Sequence, residues 1–247
     1  MAPDEFVAPP ERGRRFESQA RVRLADVGAA GRLRLDAIAR MLQDVSGDDT
    51  VDAAQAPDAS WVVRRIVIEI VDRLPRLRDD VELVTWCSGT GPRWAERRTD
   101  LRSSGKVCVR ARALWVLVDV ASGRPIPLPA RFDAVYGEAA GGRRVTQRLR
   151  HAPPPPASRG RSWPLRVTDV DVLGHVNNAA YWSPVEEMLA ALAPGRRVAS
   201  AELEFRGGLD PSDDVEVITV GDGDELRLWL TVGGDVRASA VVLLAPT

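Results

Sequence analysis

Apolar residues recur along this chain at two different periods. Leu35, Ile38, Leu42 and Val45 fall at helical spacing, which predicts an amphipathic helix over 34–45 with one apolar face. After a polar stretch the period shortens, and segments 61–70, 81–87, 94–102 and 107–119 read as strands. In the last of these, Val107, Val109, Ala111, Ala113, Trp115 and Leu117 share one face, interleaved with Cys108, Arg110, Arg112 and Leu114. Ser103, Ser104, Gly105 and Lys106 supply a hairpin turn before it. The first half is thus a helix followed by an antiparallel meander.

Residues 137–160 change composition and contain four consecutive prolines, 153–156, which neither a helix nor a central strand tolerates, so this stretch reads as a linker. The order then repeats: a helix candidate through 185–195, then strands over 198–205, 215–220, 225–232 and 236–245. One constant shift places Asp26 on Asp169, Val27 on Val170 and Gly31 on Gly174, and the later strands follow with a shrinking offset. That pattern reads as duplication of one unit. At the same shift Asp171, His175, Asn177 and Asn178 lie over Gly28, Arg32, Arg34 and Leu35, so only the second copy carries this polar set.

Composition narrows the class. The 247 residues fit one large domain or two small ones, and 45% hydrophobic with 28% charged residues and a formal net charge of -1 describe a soluble globular protein, not a nucleic-acid binder. Lys106 is the only lysine. Cys87 and Cys108 sit in apolar alternating stretches, against a disulfide framework or a cysteine metal site. The first residues lack the apolar core of a signal peptide, and no apolar run approaches the ~20 residues of a membrane span. A cytoplasmic protein is expected.

The second-copy polar set has a chemical reading. Asp171 lies four residues before His175, and Gly174 permits an unusual backbone directly ahead of the histidine. Asn177 and Asn178 are good N-cap residues, which puts acid and histidine on a loop leading into a helix, near its free amides and positive dipole end. Such an end can polarise a carbonyl oxygen, and an acid beside it can serve as base toward water or as nucleophile on an acyl carbon. The set suits acyl transfer to water. The helix is expected to begin near Asn178 and kink at Pro184, although residues 183–186 also form a capping-box pattern with proline at the first helical position. His151, in the arginine-rich linker, is expected to be solvated.

Residues 171–181, D-V-L-G-H-V-N-N-A-A-Y, resemble the signature of hotdog-fold thioesterases. With RLRLDAIARMLQDV, WVVRRIVIEI, LVTWCSG, ERRTDL, LWVLVDVASGRPIPLP and LEFRG, the chain from about residue 16 onward is similar to the acyl-acyl carrier protein (acyl-ACP) thioesterases of plants and bacteria. The resemblance implies an α+β double hotdog, two tandem units each with an antiparallel sheet wrapped around a central helix. The first would span 16–136 and hold the acyl chain, 137–160 would link, and 161–247 would carry the catalytic motif. It implies hydrolysis of fatty acyl-ACP to free fatty acid, with acyl carrier protein as partner, no cofactor, no metal, no nucleic acid, and a monomer or homodimer.

Carried over residue by residue, the family's catalytic acid falls on Asp171 and its histidine on His175. Two positions depart: the family's usual asparagine between them is Leu173, and its glutamate or cysteine after L-E-[FY]-[RK]-x is Gly208, with Asp210 two residues on. A simplified site is expected, with Asp171 as base or nucleophile, His175 orienting water or the acid, and Asn177 and its neighbouring amides holding the oxyanion. Gly174, Asn178, Tyr181 and Trp61 are the expected substrate contacts. Ile38, Met41, Leu42, Trp61 and Trp86 are candidates to line an acyl tunnel beside the first helix, and Glu187 matches the acid of the family's Y-x5-E pattern. Carrier docking would use Arg64/Arg65, Arg97/Arg98 or Arg196/Arg197. The alternatives are an acyl-CoA thioesterase and a non-catalytic acyl-binding protein.

Overall fold

The computed structural model describes residues 7–53 and 59–246. The first half runs β1 (Arg15–Arg21), α1 (Leu35–Asp52), β2 (Ala59–Ile70), β3 (Asp80–Thr90), β4 (Trp94–Ser103), β5 (Lys106–Asp119) and α2 (Ala130–Ala140). The second runs β6 (Arg161–Trp163), α3 (Ser183–Leu192), β7 (Val198–Phe205), β8 (Val215–Asp222), β9 (Glu225–Val232) and β10 (Asp235–Leu244). The ten strands form one sheet in the order β1-β3-β4-β5-β2-β7-β10-β9-β8-β6. Each half has the same internal order and the halves meet antiparallel at β2 and β7, where Arg65 faces Glu204 and Glu69 faces Ser200. The two expected sheets are therefore hydrogen-bonded into one across the repeat. Among the described residues no helix is long and apolar enough to cross a membrane.

The apolar face of α1 is the one the spacing predicts. Leu35, Ile38, Leu42 and Val45 are all buried, each side chain contributing roughly 2 kcal/mol when removed from water. The helix continues past Val45 because the next position on that face, Asp49, is also buried and is held by charge. Its carboxylate meets Arg14 at 2.7 Å and Arg97 at 2.6 Å and accepts from the Tyr136 hydroxyl at 3.0 Å. Both guanidinium groups also lie over the Tyr136 ring.

The sequence reading missed three elements. β1 is short, polar and half-exposed, and exists by pairing with the β3 edge. β6 is three residues long and pairs with β8. α2 continues past residue 137, where the composition change begins, and ends at Gly141 with φ 57°, a left-handed conformation glycine adopts without strain. Its Phe132, Tyr136 and Ala140 cover Cys87 and Ala95 in a small second core with Trp61.

Beyond α2 the proline-rich segment is strapped across the sheet. The Trp94 indole donates to the Val145 carbonyl, the Glu204 carboxylate accepts the backbone N–H groups of Arg150 and His151, and the Trp229 indole donates to the Ala152 carbonyl. His151, expected to be solvated, is buried under this strap with Nδ1 at 2.9 Å from the Ser239 hydroxyl, and burial lowers its pKa. His151, Glu202 and Glu204 stand close enough to offer donors to one ion. Both Glu204 oxygens already serve the strap, and Arg206 lies 3.5 Å away, so the group reads as a pin.

The second helix starts differently from the expected kinked form. A 3-10 turn over Ala180–Trp182 precedes α3, which begins at Ser183 with Pro184 in its first turn, where the missing N–H costs nothing. No side chain caps it. Glu186 reaches across to the other unit instead and accepts the Leu35 N–H at the start of α1, at 2.6 Å, with Arg32 at 3.7 Å. Burial pushes the Glu186 carboxyl pKa up. Glu187 is exposed. Glu186→Ala is expected to cost about 1 kcal/mol, the usual worth of an N-cap acceptor, and Glu186→Gln, which keeps an acceptor oxygen, clearly less. Urea midpoints at constant slope measure both, and equal losses would count against the capping role.

Candidate active site

The two copies of the motif superpose bond by bond. Asp26 accepts the Arg23 N–H at 2.8 Å and Asp169 accepts the Arg166 N–H at 2.9 Å. The Gly28 N–H reaches the Arg32 carbonyl as the Asp171 N–H reaches that of His175. Gly31 and Gly174 donate to the carbonyls of Gly28 and Asp171, with φ 73° and 80°. Asp26 and Asp169 use their carbonyls to accept from Arg34 and Asn177. Duplication has preserved the backbone of this loop, so the difference between the copies lies in side chains. In the first copy Arg34 closes the loop, donating to the Val27 and Ala25 carbonyls and pairing with Asp36.

In the second copy no arginine fills that space. The half-buried Asp171 carboxylate accepts the Leu173 N–H at 2.9 Å and faces Asn177 Nδ2 at 3.5 Å, while Asn177 Oδ1 accepts the Ala179 N–H. Asn177 therefore organises the turn into the helix. The Asn178 backbone N–H has no hydrogen-bond partner among the described residues, which leaves a donor of the kind helix starts present to anions.

Asp171, Leu173 and Asn178 line a cavity of about 310 Å³ whose other walls come from the first unit. Trp61, Trp115, Phe132, Cys87 and Ala95 form its apolar side, and Gln43, Ser46, Gly47 and Thr50 of α1 its polar side, joined by Glu96 and Arg97 of β4. That volume falls in the range of small-molecule sites, about 300 to 1,000 Å³. Burial raises the Cys87 thiol pKa to about 11, which keeps it protonated at neutral pH and unsuited to nucleophilic attack.

Of the residues singled out from sequence, Asp171, Asn178 and Trp61 meet at this cavity. His175 does not line it: with Nδ1 at 3.1 Å from Asp210, it stands on the exposed side of the loop, both side chains 64% exposed. Gly174 turns the loop without lining the cavity, as its first-unit counterpart Gly31 also does. Tyr181, expected to contact substrate, is buried, packs edge-on against Phe205 and accepts the Leu209 N–H through its hydroxyl. Ile38 and Trp86 are core residues away from the cavity, and Leu42 lines only a small adjoining recess. Among the proposed docking arginines, Arg65 is buried, Arg97 and Arg98 pair with Asp49 and Glu96, and Arg196 pairs with Asp224. Arg64 is half-buried and Arg197 is exposed. The residues missed were the polar ones of α1, whose facing is set by a second unit no local pattern reveals.

Comparison with known proteins follows the same two-part division. The acyl-ACP thioesterase N-terminal domain matches residues 13–136 and the acyl-ACP thioesterase C-terminal domain matches 155–233. An uncharacterized protein of Mycobacterium tuberculosis is 28% identical over 238 residues, covering 96% of this chain and 95% of that protein. The chloroplastic palmitoyl-acyl carrier protein thioesterase of Arabidopsis thaliana is 26% identical over 200 residues, 74% of this chain and 46% of that protein. The crystal structure of an acyl-ACP thioesterase from Bacteroides thetaiotaomicron has the same fold, with a TM-score of 0.81 at 18% identity over 94% of this chain and 98% of that one.

Proposed function

The chain belongs to the acyl-ACP thioesterase family, and from that membership we propose that it hydrolyses fatty acyl thioesters of acyl carrier protein at the cavity between its two units. The observation that carries the assignment to this place is the meeting of Asp171 and Asn178 from one unit with an aromatic wall from the other. Asp171 takes a proton from water as the water oxygen bonds to the thioester carbon. The Asn178 N–H holds the oxygen that becomes negative. The carbon–sulfur bond then breaks as Asp171 passes the proton it took to the leaving sulfur; His175, outside the cavity lining, pairs with Asp210 on the solvent side of the loop. Fatty acid and free carrier thiol result, and Asp171 is again a carboxylate.

The carrier rather than coenzyme A is favoured by family, and exposed Arg197 offers one contact to an acidic carrier. Competition of acyl-ACP and acyl-CoA bearing the same chain in one reaction separates them. A kcat/KM at least about tenfold higher on the carrier protein supports the reading, a difference of ~1.4 kcal/mol in transition-state binding. Preference for coenzyme A supports the acyl-CoA alternative, and bound lipid without turnover supports a binding protein.

A further inference from the structure

The repeat that relates the two loops also relates the helices facing them. At the shift that places Asp26 on Asp169, Leu35 falls on Asn178 and Gln43 falls on Glu186. One of these pairs is a bond: the Glu186 carboxylate of α3 accepts the Leu35 N–H at 2.6 Å. The reciprocal pair is Gln43 of α1 and Asn178. Both line the active-site cavity, and both line the small recess adjoining it.

The Ser46, Thr50, Arg97 and Glu96 side chains that the first unit also gives this cavity are already engaged, whereas the Trp115 indole N–H is a buried donor without a partner among the described residues. Ser46 and Thr50 donate to the helix carbonyls of Leu42 and Ser46, at 2.7 and 2.8 Å. Arg97 is held by Asp49 at 2.6 Å, and Glu96 by Ser88 and Arg98. The half-buried Gln43 amide has no hydrogen-bond partner among the described residues, and neither has the Asn178 N–H. On the loop side, Leu173 lines the cavity with an apolar side chain.

We propose that Gln43 is a catalytic residue of this enzyme, donating an amide N–H from the first unit to the thioester carbonyl oxygen alongside the Asn178 N–H of the second. The oxyanion site is thereby composite. Glutamine is suited to the place because its amide donates without charge, and an amide donor aimed at a developing oxyanion raises the rate about 10²- to 10³-fold. The reciprocal position carries an acid because its task is to accept an N–H at a helix start. The two helices therefore use symmetry-related positions for opposite purposes, one to hold the fold and one to hold the reacting oxygen.

This inference rests on the hydrolase reading above, and one set of variants tests them apart. Wild type, Gln43→Leu, Gln43→Glu and Asp171→Asn are compared for kcat, KM and melting temperature on acyl-ACP. Gln43→Leu is expected to lower kcat about 10²-fold or more, leaving KM within about threefold and melting unchanged. Gln43→Glu keeps the shape but its carboxylate cannot donate, so its kcat relative to wild type at the same pH should rise as pH falls and the introduced acid is protonated. A wall residue without catalytic work would move KM and not this pH profile. Gln43→Leu at near wild-type kcat, with Asp171→Asn inactive, overturns the inference and leaves the function standing. An inactive wild type overturns both.

Discussion

Asp171→Asn is expected to lower kcat for acyl-ACP hydrolysis by about 10³-fold, within the range that a positioned base contributes, while KM and thermal stability stay near wild type. Asparagine has nearly the same shape, and its Oδ1 can keep the 2.9 Å bond from the Leu173 N–H that holds the loop. The backbone-to-backbone bonds of the loop form without this side chain, as the first copy shows by building the same turn around Gly28. What is lost is the ability to take a proton from water. Steady-state kinetics with a melting curve measure both halves of the expectation. Retention of more than a third of wild-type kcat would remove Asp171 from the mechanism, and a large fall in melting temperature would make the residue structural.

The second large effect is on stability. Asp49 is 1% exposed and holds Arg14, Arg97 and Tyr136 together. Asp49→Ala leaves the Arg97 guanidinium, 14% exposed, without its charge partner, and removing one member of a buried pair costs about 3 to 5 kcal/mol. It also strips the Tyr136 hydroxyl of its acceptor. Burial already raises the Tyr136 pKa, with the Asp49 charge adding to the shift. Asp49→Asn, which keeps an acceptor, is expected to cost about half as much. Urea unfolding of the three proteins decides it. Because Arg97 also lines the cavity, the alanine variant should lose substrate affinity as well as stability. A loss under about 1 kcal/mol would show that Arg97 finds solvent when Asp49 is gone.

How far the sequence could be read follows from which interactions are local. α1 and the strands β2 to β5 and β7 to β10 follow from apolar spacing alone, because each presents one face to a core. β1 and α2 were not legible: β1 is polar and defined by its partner strand, and α2 is held by contacts with β3 and Trp61 far from it in sequence. His151 looked like a surface residue because the Glu204 and Ser239 that bury it lie some fifty and ninety residues away. The candidate site was legible in its loop. Asp171, Asn177 and Asn178 stood out because the first copy lacks them, and the structure gives the loop the same backbone in both.

The other side of the site was not legible for the same physical reason. Gln43 and Glu186 sit in helices whose apolar faces explain them as ordinary surface positions, and only the packing of unit against unit turns each toward the other's loop. Trp61 lines the cavity, whereas Tyr181, three residues beyond Asn178, turns into the core. Distance along the chain is a poor guide once a 3-10 turn reverses which side faces in.

On the proposed mechanism, hydrolysis takes place in the cavity lined by Asp171. The most direct measurement follows free thiol and free fatty acid together when purified protein meets a series of medium and long acyl-ACP substrates, with Asp171→Asn run beside it. Equal amounts of thiol and acid are expected, released catalytically by the wild type and nearly absent with the variant. Acyl-ACP bound but left intact across the whole series, or turnover undiminished in the variant, would contradict it.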